Sequence, residues 1–316
     1  MSKRSQPVDH LAMPPRVPRV SVIMTFLDPP LEFFREAVQS VFSQALSDWE
    51  LIFVNDGSGT EASRVAEEFV RLDPSRVRCL THEGGVNLGI PASRNLALAH
   101  AQGEFVACLD ADDCWHPAKL AAQVTILDAN PHVDMLFGRY LLWRSWGALE
   151  GVPEVVDRVP PLGVPDRTQF GPGAFLPLMI RSRISIPPPS NVMVRASAAR
   201  SVGGFGEGVS NHYEDQAFYS KISLEGVVLA CNDVWCRYRV HDGSVTQGAT
   251  RAEGRSARRE FLGWLEVYLY ERGALDAPIR RTLRLERWAT RVPRGPGILR
   301  LLRRIPRLLT GGVRGQ

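Results

Sequence analysis

The sequence predicts an α/β fold: a mostly parallel sheet flanked by helices on both faces, followed by a helical, basic C-terminal extension. Three observations predict it. Short apolar runs recur from residue 20 to residue 142, separated by segments of helical period, and that alternation builds parallel sheets. Acidic residues cluster directly after two of those runs, where open parallel sheets bind ligands. Residues 280–316 hold eleven Arg and one Glu, which is +10 and, against a net charge of +4, leaves −6 for the rest.

Taken in order, residues 1–19 are polar, basic and Pro-containing, and are expected to form a disordered arm. Val20 to Phe26 reads as a buried strand, and Pro29-Pro30 opens a helix with Phe34, Val38, Val41 and Ala45 on one face. Glu50 to Val54 is a second strand, and Ser58 with Glu61 makes an S-x-x-E capping box before a helix carrying Val65, Phe69 and Leu72. Strand Val77 to Leu80, a glycine-bearing loop and a helix from Pro91 to about His100 follow, with Gly103 just past its end. Phe105 to Leu109 is the fourth strand, and a helix from Pro117 bears Leu120, Val124 and Leu127.

After strand Met135 to Leu142, residues 144–190 contain nine prolines and little periodicity, which predicts a long functional loop. Order is expected to return with strand Asn191 to Arg195, a short helix, Gly203-Gly204-Phe205, and a helix from about Tyr213 to Glu225. Strands Val227 to Cys231 and Trp235 to Val240 and a helix from roughly Arg255 to Tyr270 precede the arginine-rich end.

Composition narrows the function classes. With 44% hydrophobic and 23% charged residues, 316 residues bury a full core as one large or two modest domains. Five cysteines, odd in number and without a CxxC pair, argue against a disulfide framework and a zinc site and fit a reducing cytosol. No apolar run approaches the roughly 18–20 residues of a membrane span, and Met1 to Val20 lacks the apolar core of a signal peptide. A soluble or peripheral cytoplasmic protein is expected. The absence of G-x-x-x-x-G-K-[ST], and of G-x-G-x-x-G after the first strand, weakens NTPase and dehydrogenase readings.

The chemistry is expected at the strand ends. Strand two ends in Asn55-Asp56-Gly57-Ser58 and strand four in Asp110-Ala111-Asp112-Asp113. Three carboxylates in four residues repel one another unless a cation sits among them, and Mg²⁺ or Mn²⁺ would both relieve that and grip diphosphate oxygens. Asp also serves as an N-cap and turn residue, an alternative that stands level for Asp56 alone. Arg94 and Asn95 lie in the first turn of the helix opened by Pro91, where anions are favoured; a solvated helix face is the competing explanation. Asn211 and Glu214 form an N-x-x-E helix start that puts Asp215 in the first turn. The dipole there is expected to keep it ionised, as a proton acceptor must be, unless it serves helix stability alone. His82, His116 and His212 are expected at the surface, Cys231 and Cys236 as buried thiols flanking a turn, and Trp115 in the core, with Trp143 and Trp146 open.

From Val20 to His241 the chain resembles the family 2 glycosyltransferases. The resemblance rests on "VSVIMTFLDPP", "AVQSVFSQALSDWELIFVNDGS", "NLGIPASRNLALAHAQGEFVACLDADDCWHPAKL", "NVMVRASAARSVGGFGE", "YEDQAFYSKISLEG" and "YRVHDGSVT" in that order. It implies a GT-A type, Rossmann-like fold, with residues 20–143 as the nucleotide-sugar-binding half and 144–250 as the acceptor-binding, catalytic-base half. It implies an inverting transfer from a nucleotide diphosphate donor, a UDP-sugar, to an acceptor hydroxyl. By the same resemblance Asp56 contacts the base, Arg94 contributes to the nucleotide pocket, Asp110 lies near the ribose, Asp112 and His241 meet the metal, and Asp113 lies toward the donor sugar or metal. Asp215 would be the base, with Glu214, Gly204 and Phe205 on the acceptor side. Asn55 and Leu27-Asp28 depart from the usual pattern, which leaves donor identity open. A sugar-nucleotide nucleotidyltransferase is disfavoured because Ser21 to Pro30 has neither glycine nor lysine; intact Asp112 and Asp215 disfavour a silent sugar-nucleotide-binding scaffold.

Residues 251–316 form the expected helical, Arg-rich extension. From Ile279 to Leu309 arginines interleave with Leu283, Leu285, Trp288 and further apolar residues, a pattern that predicts contact with an anionic membrane. This suits a saccharide or lipid-linked acceptor at the inner face of the plasma membrane. A helix packed on the domain, or a solvated end, is the alternative; nucleic acid is not an expected partner.

Overall fold

Strands without a polar face need covering on both sides, and the first half of the chain supplies that. In the computed structural model, which describes residues 17–147, 156–206, 212–244 and 250–291, β1 (Val20–Phe26) lies between β2 (Trp49–Asn55) and β4 (Phe105–Cys108). β2 pairs in turn with β3 (Val77–Thr81), giving the parallel order β3-β2-β1-β4. The connections carry α1 (Leu31–Phe42), α2 (Thr60–Leu72) and α3 (Ile90–His100); the two-residue β5 (Cys114–Trp115) and α4 (Lys119–Ala129) follow β4.

The period-2 alternation of each strand separates two cores. Val22, Met24 and Phe53 pack with Phe34, Val38, Val65 and Leu120 of α1, α2 and α4. Ile23, Ile52, Val54 and Val106 pack on the opposite face with Ala97 of α3. Ser21, buried inside β1, donates to Glu50 at 2.6 Å, so this polar group costs little. Gly103 permits the close passage beside it: a Cβ there would lie 2.5 Å from the Ser21 nitrogen.

Beyond β4 the sheet becomes mixed. β8 (Val192–Arg195) runs antiparallel to β4 and to β6 (Met135–Trp143), while β6 pairs in parallel with β9 (Val228–Arg239). β5 and β7 (Thr168–Phe170) add short antiparallel ladders to β9. The long ladders are the parallel ones, as expected. Where two strands and a turn were expected there is one strand, β9, with register shifts against Arg139. Gly138 makes this possible, since a Cβ would meet the Asp233 carbonyl at 2.5 Å. Cys231 and Cys236 are thus buried in one strand, and all five cysteines are free thiols.

The Pro-rich stretch is more ordered than its composition suggested. Residues 148–155 fall outside the described residues, but the remainder forms β7, α5 (Leu176–Ile180) and a 3-10 turn at Pro189–Asn191. Phe175, Leu176, Met179 and Ile180 are fully buried, so the prolines end elements while the apolar residues between them build core. Two predicted helix starts differ. α2 begins after Gly59 with no side-chain cap, because the Ser58 hydroxyl instead donates to the Phe26 carbonyl at 3.1 Å. α7 (Glu214–Glu225) begins after Tyr213, also without a side-chain cap; Asn211 lies outside the described residues.

α6 (Ala196–Ser201) follows β8, and α8 (Arg251–Glu271) starts earlier than predicted on a capping box of Thr250 and Glu253. α9 (Ala277–Arg291) packs on α8, with Leu283 fully buried beside Phe261, Leu262, Leu265 and Leu269 in the core. The start of the arginine-rich end is therefore a helix docked on the domain; the rest of that segment, 292–316, and the N-terminal arm before residue 17 lie outside the described residues. Among the described residues no helix is long and apolar enough to cross a membrane.

Candidate active site

The acidic turn after β4 is held by groups from three other segments. The Asp110 N–H donates to the Ser190 hydroxyl at 3.1 Å, and Asp113 N–H closes the turn on the Asp110 carbonyl at 3.2 Å. Trp115, buried as expected, donates its indole N–H to the Ser190 carbonyl at 2.6 Å. Asp113 is fully buried; its carboxylate accepts the Arg239 N–H at 2.9 Å, and burial pushes it well above the usual carboxylate range. Expected toward the donor sugar or metal, Asp113 ties the turn to β9.

Asp110 faces Arg94. The guanidinium donates to Asp110 Oδ1 at 2.8 Å and to Glu214 Oε1 at 3.1 Å, and Arg94 is only 2% exposed. Arg94, expected in the nucleotide pocket, joins the β4 turn to the start of α7 with its fork. A planar guanidinium suits such a bridge. Burial raises both Asp110 and Glu214, with Arg94 pulling each back. Glu214, expected on the acceptor side, is a partner of Arg94. Asp215, next in α7, is half-buried and accepts the Gln216 N–H at 2.6 Å. Burial, then the neighbouring Glu214, pushes its carboxyl well above the ordinary value. Desolvation and a like charge both favour the protonated form, opposite in sign to the first-turn dipole.

Gly204 and Phe205 are also buried, where the acceptor side was expected. Phe205 exchanges two hydrogen bonds with the Asn95 side chain, at 2.7 and 3.0 Å, and its ring lies 5.4 Å from the Arg94 guanidinium. Gly204 has φ +65°, and a Cβ there would fall 2.3 Å from Asn95 Oδ1. Both brace α3 and Arg94.

On the other side of the turn, Asp112 Oδ2 meets His241 Nε2 at 2.9 Å, and both side chains are partly open to solvent. The residue that sets this pair was not singled out from the sequence. Arg239 donates from Nε to the Asp112 carbonyl at 2.8 Å, pairs with Glu36, and sits 4.2 and 4.3 Å from the Phe33 and Trp143 rings. Its signal was present, since Arg239 and His241 are two positions apart and strand-like spacing puts such residues on one side. Trp146 packs on Phe33 at 4.8 Å and donates to the Val240 carbonyl at 2.9 Å.

Asp56 is buried under the loop before α3. Its carboxylate accepts the N–H groups of Leu88 (2.8 Å) and Gly89, and Oδ1 lies 3.6 Å from His82. His82 was expected at the surface, yet it is buried and shares a 2.8 Å hydrogen bond with Ser93. The two unusual residues at the strand ends both hold the turn before α2: Asp28 accepts the Gly59 N–H and Asn55 accepts the Ser58 N–H.

A carboxylate and an imidazole are donors that a divalent cation such as Mn²⁺ can accept. Asp112 and His241 converge at a solvent-accessible edge of a site that also contains the Asp110, Asp113, Glu214 and Asp215 carboxyls. Among the described residues only Asp166, Cys231 and Asp233 bring three donor atoms within 4.8 Å of one another. That cluster has its own counter-ion, because Arg167 lies 3.9 Å from Asp166 and 3.4 Å from Asp233. Asp112 and His241 could offer such an ion two donors, the remaining ligands coming from a bound molecule.

Comparison with known proteins gives a consistent result. The profile of glycosyl transferase family 2 matches residues 21–200. Putative glycosyltransferase EpsE of Bacillus subtilis is 28% identical over 189 residues, 60% of each chain. The UDP-Glc:alpha-D-GlcNAc-diphosphoundecaprenol beta-1,3-glucosyltransferase WfgD of Escherichia coli is 34% identical over 104 residues, 33% of this chain and 39% of that one. The chain thus spans less than two thirds of the length of these relatives. Among solved structures, S. aureus TarS 1–349 with UDP-GlcNAc superposes with a TM-score of 0.59 at 19% identity, covering 77% of this chain and 65% of that one. The mannosyltransferase PcManGT from Pyrobaculum calidifontis, in complex with GDP-Man and Mn²⁺, gives 0.54 at 17% identity, covering 90% and 79%. These likenesses establish the GT-A fold. The profile match ends before α7 and so does not reach Asp215 or His241.

Proposed function

The chain belongs to glycosyl transferase family 2, and from that premise we propose that it moves a sugar from a nucleotide diphosphate donor, a UDP-sugar, to an acceptor hydroxyl with inversion. The observation that carries this reading is the Arg94 bridge, which fixes the Asp110 turn and the Asp215 helix to one guanidinium. A donor held at the acidic turn then lies beside a carboxylate able to accept a proton.

In this reading Asp215 takes the acceptor hydroxyl proton as oxygen attacks the anomeric carbon from the side opposite the diphosphate. Its raised proton affinity makes it a stronger base than an exposed carboxylate. Glu214 is held by Arg94, which leaves Asp215 as the carboxylate of α7 free to act as the base. Mg²⁺ or Mn²⁺ would be held by Asp112 and His241 and would supply positive charge to the departing diphosphate. Asp56, the residue read as contacting the base, holds the loop to α3 through the Leu88 and Gly89 N–H groups. The nucleotidyltransferase alternative lacks support, since Leu27 to Pro30 after β1 offers no glycine or lysine for a triphosphate.

A lipid-linked saccharide is the acceptor class we favour, because the relative WfgD is named for a diphosphoundecaprenol acceptor. The test is a turnover screen of UDP-, GDP- and dTDP-sugars with Mn²⁺ against lipid-linked and free saccharides, with the product anomer read by NMR. A product of inverted configuration from a UDP-sugar is expected; retention would reject the single-base mechanism.

A further inference from the structure

We propose that the outward face of α9 is a docking surface for an anionic membrane, a property separate from the transfer reaction. The rotation of α9 is set by its inner face. Leu283 is fully buried, the Thr282 hydroxyl accepts from Arg181 at 2.9 Å, and Arg287 pairs with Glu266 on α8. This leaves Ala277, Arg281, Arg284, Leu285, Trp288 and Arg291 exposed at intervals of one, three or four residues, which is one continuous helix face.

The chemistry of that face is unlike that of an ordinary solvated helix. It carries arginines and no acid, and Leu285 and Trp288, both large and apolar, remain 42% and 51% exposed between them. Arg280, Arg281 and Arg284 make no ion pair among the described residues, and with Ala277 and Leu285 they line a shallow groove of about 400 Å³. A solvated helix face would mix charges of both signs. Guanidinium groups beside a tryptophan and a leucine match the boundary between lipid phosphates and acyl chains, where arginine meets phosphate and the indole lies at headgroup level. The charge complementarity selects phospholipid of negative headgroup as the occupant.

The orientation also shows where the sequence expectation was too broad. Leu283 was counted with the membrane-facing residues but belongs to the core, so removing α9 would expose α8 instead of isolating the docking face. Substitutions on the outer face avoid this.

The experiment is co-sedimentation of the full chain with phosphatidylglycerol-containing or pure phosphatidylcholine vesicles. It compares wild type, R280Q/R281Q/R284Q, W288A, and a charge-matched R303Q/R304Q/R307Q variant, each checked for native Tm. Wild type is expected to bind only the anionic vesicles, reversibly with salt. The α9 triple variant is expected to lose roughly a hundredfold in partition, W288A to bind more weakly, and the charge-matched variant to lose less than the α9 triple. Wild-type binding by the natively folded α9 variant would overturn the proposal. So would equal losses in both triple variants with W288A unaffected, or a preference for duplex nucleic acid over vesicles at the same salt.

Discussion

Arg94 and Glu214 lie 120 positions apart in the chain, yet their side chains meet at 3.1 Å in a buried ion pair that Asp110 completes on the other side of the same guanidinium. The helix after the Pro-rich stretch is thereby fixed against the turn after β4. A buried pair of this kind is weak evidence for net stability but costly to break.

Arg94→Ala leaves the buried Glu214 and the half-buried Asp110 without their counter-ion and is expected to destabilise the protein, by up to about 3–5 kcal/mol. Arg94→Lys keeps the charge but has no fork to span both partners. It is expected to remain folded, with kcat falling more than donor affinity; thermal melts and steady-state kinetics on the two variants check this. A kcat for Arg94→Lys equal to that of the wild type would remove the bridge from the mechanism.

Asp112→Asn and His241→Ala each remove one donor from the two-donor edge. Manganese-dependent UDP-sugar binding, measured by calorimetry, is expected to weaken by more than the roughly 10–100-fold that loss of an outer-shell partner costs. Metal-free affinity should not change. Full activity in excess EDTA would contradict the metal assignment.

Arg239 touches Asp112 through a backbone carbonyl and is a positioning residue. Arg239→Lys is expected to raise the Mn²⁺ concentration needed for half-maximal activity while leaving activity at saturating Mn²⁺ closer to wild type. A loss that no Mn²⁺ concentration restores, with native Tm, would point to a different role.

Lys119 gives a pH test of the buried layer beneath the acidic turn. Burial pulls its ammonium from 10.5 down to about 7, and its amine bonds Gln123 at 2.7 Å. The unfolded chain therefore binds more protons than the folded one between those values, and stability from this group rises with pH across that window and is lost as pH falls through it. Denaturant titrations from pH 7 to 9 should show a gain on the order of 1 kcal/mol per unit. That gain should be absent in Lys119→Met.

The sequence carried the parallel half of the fold because its strands are continuous apolar runs and its helices amphipathic. It misjudged residues 156–190, where proline frequency masked the apolar residues that fill the core, and β9, where exposed Asn232 and Asp233 resembled a turn. For the site, acidic clusters at strand ends were legible, since strand ends point at the ligand crevice. The direction each carboxylate takes was not, because that depends on partners distant in sequence: Asp113 turns to Arg239, Asp110 to Arg94, and Asp112 to His241. Arg94 resembled an anion ligand for the same reason, its two carboxylate partners being 16 and 120 positions away.

The central claim, that Asp215 is the proton acceptor of an inverting transfer, is tested most directly by Asp215→Asn with donor binding and transfer measured on the same preparation. UDP-sugar affinity in the presence of Mn²⁺ should match wild type, and transfer should fall by about 10²–10⁴, while wild-type activity declines as pH drops through the raised value of Asp215. Transfer at the wild-type rate by the Asn variant would contradict the account.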